Sequence, residues 1–229
     1  MRTYLPRAYL EGFVDPDLRA AGEEAVWAHR PVLGLFQKMP LEPAGGLRHF
    51  NEVTEAALAP KEALEGPLER IQSDAMAVLR RATGERRPPT PEERRLAAEF
   101  MALLAVRLSR GYQDLDDAEA RRGVEVLSGA LADMGWVLWE AEEPFYFVSA
   151  GAPFHAFAGA GGLAGGLGVH APEAELTLPL SPRWALHATW RRAGEAWRTA
   201  GERVLLELNA RTLLGAGRFA LASKPAIPL

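Results

Sequence analysis

The sequence predicts an α+β protein in which long helices of the N-terminal and central part pack on a mainly antiparallel sheet built largely from the C-terminal part. Two observations support this fold class. Between residues 54 and 134 apolar side chains recur at helical spacing, whereas from residue 136 short apolar runs and period-two alternation lie between turn signals. Amphipathic helices must cover an apolar surface, and this sheet is the best candidate for it. The 229 residues contain no evident linker, so we expect a single domain over residues 1–229.

The N-terminal part predicts short elements. Residues 4–13 favour a short helix with Pro6 near its first turn, and residues 18–24 favour another. Residues 26–28 and 32–36 then predict two short strands separated by a proline.

Four longer helices follow, and their starts carry capping signals. Thr54 is a suitable N-cap for the first, and Pro67 suits the first turn of the second. Thr90 begins a Thr-Pro-Glu-Glu sequence, which is a capping box with proline at the first helical position. Asp114 is a suitable cap for the fourth helix. The predicted helices span residues 55–65, 67–82, 91–110 and 115–134.

The C-terminal part predicts strands and one helix. The strands expected to share one sheet are Trp136–Trp139, Phe145–Val148, Leu176–Leu180 and Trp184–Trp190. Residues 159–168 are rich in glycine and predict a loop, and residues 191–201 predict a polar connection. A helix over residues 202–214 and a last strand near residues 219–222 complete the prediction.

Composition narrows the function classes. The chain has no cysteine, which excludes disulfides, thiolate metal sites and a cysteine nucleophile. The net charge of -4 argues against nucleic acid as a partner, although arginine pairs in residues 80–95 leave a local basic patch open. The first residues lack the apolar core of a signal peptide, so we expect a cytoplasmic protein. Few amides and no cysteine favour a heat-adapted source, although a GC-rich genome would also favour arginine over lysine.

Cofactor and metal motifs are missing from the sequence. Residues 159–164 match Gly-x-Gly-x-x-Ala in form, but more glycines follow where a helix should begin. His155 and His170 flank this loop without a carboxylate at ligand spacing. Residues 144–172 carry no charged side chain, yet their prolines and glycines make a poor membrane span. We therefore predict no cofactor, no metal and no membrane partner.

Several motifs together resemble a known family. Tyr4-Leu-Pro-Arg-Ala-Tyr-Leu-Glu-Gly-Phe13 is similar to His-x-Val-Pro-x-x-Tyr-Leu-x-x-Phe, the signature of an uncharacterised, largely bacterial family called domain of unknown function 4238. Phe147–Phe154 and Leu178–Arg183 resemble its Thr-Ser-Asp-Asn-Pro and Pro-Leu-Ser-Pro segments, and the late helix with Asn209 is also similar. The resemblance implies that the chain shares the fold of this family, and it says less about function. It also implies that seven residues occupy signature positions: Pro6, Tyr9, Ser149, Pro153, Ser181, Arg183 and Asn209.

The departures from that signature concern its chemical groups. Thr3 stands where the signature has histidine, and Ser149-Ala-Gly-Ala-Pro153 replaces Thr-Ser-Asp-Asn-Pro. No aspartate occurs after Asp133. Any chemistry that used that histidine and aspartate is not available here in the same form.

Arg107 is the most informative single candidate. It follows Phe100 by seven residues, so at about 100° per residue it points within about 20° of the same inward direction. A guanidinium on an apolar face needs an acidic partner, and Glu65 and Glu69 are available. A buried structural ion pair is the favoured interpretation, and an anion clamp in a pocket is the alternative.

Ser149 is a weaker candidate, as a nucleophile. Its neighbours do not form Gly-x-Ser-x-Gly, because Phe147 stands in place of the first glycine. A turn residue at the end of a strand explains it better.

Together these features predict a soluble binding or interaction module without an intact catalytic set. The alternative is a hydrolase, nuclease-like in one version, that acts on a phosphate-containing substrate with Arg107 as anion clamp and glutamates in place of the missing aspartate. A structural homo-oligomer is a third option, because six tryptophans leave room for an aromatic interface.

Overall fold

A computed structural model describes residues 5–30, 34–41, 62–109, 114–158, 169–215 and 219–228. It confirms the α+β class, with the long helices in the N-terminal and central part and most strands in the C-terminal part. The helices are α1 Arg7–Leu10, α2 Pro16–Ala20, α3 Glu62–Gly84, α4 Pro91–Arg107, α5 Asp117–Asp133 and α6 Glu202–Gly215, with a 3-10 turn at Glu11–Phe13. The strands are β1 Ala25–Arg30, β2 Leu35–Pro40, β3 Gly135–Ala141, β4 Ser149–Ala150, β5 His155–Ala158, β6 Ala174–Pro179, β7 Trp184–Thr189, β8 Glu195–Ala200 and β9 Ala220–Ala222.

Helix α4 begins as its sequence predicts. The Thr90 hydroxyl accepts a hydrogen bond from the Glu93 amide, and the Glu93 carboxylate accepts one from the Thr90 amide. Helix α5 has the same kind of capping box, two residues later than expected. Asp116, not Asp114, is its N-cap, because Asp116 and Glu119 make the two reciprocal bonds at 2.8 Å each.

The predicted helix boundary at Pro67 is wrong. Helix α3 runs from Glu62 through Pro67 to Gly84. The proline removes one amide donor near the start of the helix, while Leu68, Met76 and Leu79 bury the apolar face of the later turns. Packing of that long face outweighs the local signal. Residues 55–61 of the predicted first helix lie outside the described residues.

Five strands form one sheet in the order β5-β6-β7-β3-β8, and all neighbours are antiparallel except β3 and β8. Its inner face carries Trp136, Leu138, Leu176 and Leu186, all at most 1% exposed, against the long helices. Strand β8 corrects the prediction of a polar connection over residues 191–201. Its Trp197 packs inward and donates from Nε1 to the carbonyl of Ala82 on α3 at 2.8 Å.

The second sheet has the order β2-β1-β9-β4. It includes β1, which confirms the predicted strand at residues 26–28, and β9, which confirms the predicted last strand. Strand β2 pairs with β1 as a hairpin, but it shares only Leu35 and Phe36 with the strand predicted at residues 32–36. Phe145–Val148 does not join the five-stranded sheet, contrary to prediction. The Phe147 amide donates a hydrogen bond to the Pro182 carbonyl, and the Val148 amide donates one to the Asn209 side chain. The segment is therefore held by single hydrogen bonds, and it does not pair as a strand until β4 begins.

Helix α6 packs on the outer face of the five-stranded sheet. Leu205 and Leu208 of the helix meet Ala185 of β7, Ala200 of β8 and Phe147 in a small second core. This core lies on the side opposite the long helices, so the sheet is packed between helical layers. Among the described helices, none has both the length and the apolar character needed to cross a membrane.

Candidate functional site

The first polar cluster forms around Tyr9, one of the predicted signature residues. The Tyr9 hydroxyl donates to the carbonyl of Pro179 at 2.8 Å and lies 2.7 Å from the hydroxyl of Ser149. Because the phenol has only one proton, Ser149 donates to Tyr9. Both side chains are fully buried, and burial raises the pKa of Tyr9, an effect that the bond with Ser149 only partly offsets. We call Tyr9, Ser149 and the Pro179 carbonyl the signature cluster.

Asn209 of α6 holds the segment that leads to Ser149. Its side-chain oxygen accepts from the Val148 amide at 3.1 Å, and its nitrogen donates to the Tyr146 carbonyl at 3.0 Å. Gly12 lets the first helical segment approach the sheet, because a Cβ there would lie 2.7 Å from the Leu180 carbonyl oxygen. The cluster therefore joins the N-terminal segment, β4 and the end of β6.

The remaining predicted signature residues lie in turns, next to the ends of helices and strands, or on the surface. The Ser181 hydroxyl accepts from the amides of Arg183 and Trp184 at the start of β7. Arg183 donates to Glu140 at 2.8 Å, but its side chain is 72% exposed. Pro6 precedes α1 and Pro153 is buried before β5. None of them supplies a reactive group to Ser149, whose hydroxyl proton is already used in the signature cluster.

At Gly151, where the resemblance leads one to expect an aspartate, an aromatic ring lies against the backbone. A Cβ on Gly151 would lie 2.9 Å from Cζ of Phe219. The space that a side chain needs at residue 151 is therefore filled.

Arg107 makes the predicted ion pair. Its Nε donates to Oε1 of Glu65 at 2.6 Å, and the two side chains are 9% and 7% exposed. Glu69 is exposed and takes no part in this pair. Arg107 and Ser149 line neither of the two pockets described below. The pair joins α3 and α4.

A second group of charged residues lies on the outer face of the five-stranded sheet, beside α6. It surrounds an open pocket of about 170 Å³, which we call the sheet-face pocket. Its lining residues are Val137, Trp139, Glu175, His187, Thr189, Arg191, Arg192 and Arg198.

Strand register brings these residues together. Val137 of β3 pairs with His187 of β7, and Thr189 of β7 pairs with Glu175 of β6. Alternate residues of a strand share a face, so these four side chains point the same way. Arg198 enters from β8, where it pairs with a residue of β3 on the same face.

The turn between β7 and β8 supplies the other two arginines. It crosses the start of β3, where Gly135 leaves room: a Cβ there would lie 2.4 Å from the Arg192 carbonyl oxygen. Gly194 completes the turn with a φ of +70°, a conformation that favours glycine. The Thr189 hydroxyl accepts from the Arg191 amide at 3.2 Å and fixes the first turn residue. Arg191 and Arg192 are thereby held at the mouth of the pocket.

Electrostatics make the pocket cationic. Glu175 is contacted by Arg211 at 2.9 Å, Arg191 at 3.2 Å and His187 at 3.4 Å. Burial alone would raise the pKa of Glu175, but these neighbours lower it on balance. Desolvation lowers the pKa of His187 more than Glu175 raises it, so the ring is neutral at pH 7. The lining then holds three arginines against one glutamate.

A larger pocket of about 490 Å³ lies between α3, α4 and α5. Leu64, Leu103 and Val124 form its apolar part. Its charged rim balances two arginines against two glutamates, so it selects no charge. Within the described residues, no group of three histidine or acidic side chains is placed to hold a metal ion.

The comparisons with known proteins concern the N-terminal half of the chain. A family model described as a protein of unknown function, DUF4238, matches residues 4–126, more than half of the chain. The chain belongs to the DUF4238 family. Searches of curated proteins and of solved structures found no match.

The DUF4238 match and the sheet-face pocket do not overlap. The matched region includes Tyr9, Glu65 and Arg107 and ends before β3 begins. Every residue that lines the sheet-face pocket lies between positions 137 and 198. Sequence reasoning missed this pocket, because residues 191–201, which contain Arg191, Arg192 and the whole of β8, were predicted to form a polar connection. The available signal was the alternation of β7, which places His187 and Thr189 opposite its apolar residues.

Proposed function

We propose that this DUF4238 protein is a binding module for a small phosphate-bearing anion, which it holds in the sheet-face pocket. The observation that carries the proposal is that Arg192 and Arg198 line the pocket without an acidic partner among the described residues. Most other arginines of the described chain are paired, including Arg94 with Glu195 near the same strand. Unpaired guanidiniums around a concave site suit an anionic ligand.

Charge favours a phosphate group. With His187 neutral, three arginines and one glutamate give the lining a net charge of +2. A phosphate monoester carries about -1.5 to -2 at pH 7, which matches that balance better than a single carboxylate does.

The size of the sheet-face pocket favours small ligands. Its volume is about 170 Å³. Pockets that bury drug-sized molecules occupy about 300–1,000 Å³. A phosphate group with a short chain fits, whereas a nucleotide would lie mostly outside.

The described geometry gives less support to the hydrolase alternative. The Ser149 hydroxyl donates to Tyr9, and both Ser149 and Arg107 lie outside the described pockets. A binding module needs only the arginines that are present. The single-domain organisation, the cytoplasmic location, the heat-adapted source and the homo-oligomer stay predictions.

Calorimetric titration with inorganic phosphate tests the proposal. We expect saturable binding by the parent protein at constant ionic strength, and a loss of about tenfold to one-hundredfold in affinity for Arg192→Gln and for Arg198→Gln, since a hydrogen bond to a charged group contributes about 1.5–3 kcal/mol. Arg95→Gln is the matched control, because Arg95 is an exposed helical arginine far along the chain from the pocket. No binding by the parent, or equal affinities for all four proteins, would overturn the proposal.

A further inference from the structure

One carboxylate interrupts the cationic lining of the sheet-face pocket. Of the described residues that line this pocket, only Glu175 of β6 is acidic, while Arg191, Arg192 and Arg198 are basic. The Glu175 side chain is 15% exposed, so it reaches the surface of the pocket. A negative charge at this position repels a bound anion, and it therefore affects which anions the arginines can hold.

The two carboxylate oxygens of Glu175 have different surroundings. Oε2 faces the protein, where it lies 2.9 Å from Nη1 of Arg211 and 3.4 Å from Nε2 of His187. Oε1 lies 3.2 Å from Nη1 of Arg191, whose side chain is 61% exposed at the mouth of the pocket. A carboxylate oxygen has two lone pairs, so this one guanidinium contact leaves the second lone pair of Oε1 to a ligand.

The charge on Glu175 is maintained by groups from several elements around it. Burial would raise the pKa of Glu175, but Arg211 of α6, His187 of β7 and Arg191 of the turn after β7 lower it on balance. Glu207 of α6 also acts on His187, but it is 57% exposed and pairs with Arg211 at 2.5 Å. At pH 7 and above Glu175 is therefore ionised, and it can only accept hydrogen bonds.

An ionised acceptor beside a bound oxyanion selects for a proton on that oxyanion. A ligand oxygen that carries hydrogen can donate to Oε1 of Glu175, while the other ligand oxygens accept from the arginines. A fully deprotonated oxyanion offers only lone pairs to Oε1, so the two like charges repel each other. Inorganic phosphate keeps a proton at neutral and mildly alkaline pH, whereas sulfate has none and a phosphate monoester loses its last proton with a pKa of about 6.

We infer that Glu175 makes the sheet-face pocket selective for an oxyanion that carries a proton, so that inorganic phosphate is preferred to sulfate and to the dianions of phosphate esters. This inference rests on the proposed phosphate binding and adds the residue that distinguishes one anion from another. The volume of about 170 Å³ agrees with it, because the pocket then has to hold only the phosphate itself.

Calorimetric titrations at pH 8 with inorganic phosphate, sulfate and methyl phosphate test the inference. At this pH the three probes are mainly dianions, and only inorganic phosphate carries a proton. At constant ionic strength we expect the parent protein to bind inorganic phosphate at least about tenfold more tightly than either of the other two. One hydrogen bond to a charged group, against one repulsive contact, distinguishes them.

A pair of variants assigns this preference to Glu175. In Glu175→Gln we expect it to fall to about twofold or less, because an amide can donate to a bare oxygen and accept from a protonated one. Glu207→Gln is the matched control, since it removes the same charge from α6 but does not line the pocket, and it should keep the preference. The readout is a ratio of affinities, so a general gain in anion binding from the lost negative charge leaves it unchanged.

A second measurement on the parent protein applies even if Glu175→Gln fails to fold. Lowering the pH from 8 to 6 returns a proton to about half of the methyl phosphate, so the preference for inorganic phosphate over methyl phosphate should fall to about twofold. The preference over sulfate should stay. Equal affinities of the parent for the three dianions at pH 8, or an unchanged preference in Glu175→Gln, would overturn the inference and leave phosphate binding intact. Failure of all three probes to bind at either pH would overturn the proposed function and the inference with it.

Discussion

The signature cluster and the sheet-face pocket are both polar, but they use their polar groups in opposite ways. In the signature cluster the Tyr9 hydroxyl, the Ser149 hydroxyl and the Pro179 carbonyl bond to one another and are closed to water. In the sheet-face pocket, Arg192 and Arg198 have no acidic partner among the described residues.

This difference separates architecture from binding capacity. Buried groups that satisfy one another fix how segments pack, and they have nothing left to offer a ligand. Groups left over around a concave surface keep that capacity. Tyr9 and Ser149 therefore stabilise the fold, while the features suited to a ligand lie in strands β3, β6, β7 and β8.

The largest effect should come from breaking the buried ion pair. Arg107→Ala leaves the Glu65 carboxylate without its partner and should lower the free energy of unfolding by about 3–5 kcal/mol in a urea titration. Arg107→Met keeps an apolar stem, so the difference between the two variants measures packing. Glu69→Ala is the control and should change stability by less than about 0.5 kcal/mol. An Arg107→Ala protein as stable as the parent would contradict the structural role.

Acid should weaken the fold through His155. Desolvation lowers the pKa of this buried histidine from 6.5 to about 4, although a bond to the Thr212 backbone raises it slightly. The unfolded chain therefore binds more protons between these values, so stability is complete above about pH 6.5 and falls as the pH drops toward 4. The loss from this one group is roughly 3 kcal/mol at most.

Urea titrations at several pH values measure this loss, with His155→Phe as the comparison. The difference between the two unfolding curves isolates His155 from the carboxylates that titrate in the same range. If the parent and the variant lost stability in parallel as the pH fell, His155 would not be the group responsible.

A smaller loss should follow from opening the signature cluster. Tyr9→Phe removes the shared hydroxyl and leaves the Pro179 carbonyl and the Ser149 hydroxyl buried without it, at a cost of about 1–3 kcal/mol. Ser149→Ala should cost less, because Tyr9 keeps its bond to the carbonyl. Both variants should bind phosphate as the parent does. If either variant bound phosphate more weakly but unfolded at the same free energy as the parent, the signature cluster would be part of the binding site and not of the structural core.

The parts of this structure that could be predicted from sequence are those encoded locally. The start of α4 and the inward direction of Arg107 follow from a capping box and helical geometry, and the structure confirms both. The sheet-face pocket depends instead on which strands pair and in what register. Glu175, His187 and Arg198 come from three strands that the sequence does not align with one another.

Strand β8 shows why the pocket was missed. Glu195 and Arg198 of this strand are charged, and they interrupt the apolar alternation that marks a strand in sequence. Glu195 pairs with Arg94, and Arg198 lines the sheet-face pocket. Tertiary pairing with β3 makes it a strand nevertheless. The break predicted at Pro67 failed for the same kind of reason, since packing of a long helix outweighed a local signal.

The most direct test of this division is a solution NMR titration of arginine-labelled protein with phosphate. Assigned side-chain Nε signals report each guanidinium separately in one experiment. The account predicts that the signals of Arg192 and Arg198 shift together and saturate with one dissociation constant, while the signal of Arg107 stays in place. Saturating shifts at Arg107, or none at Arg192 and Arg198, would contradict it.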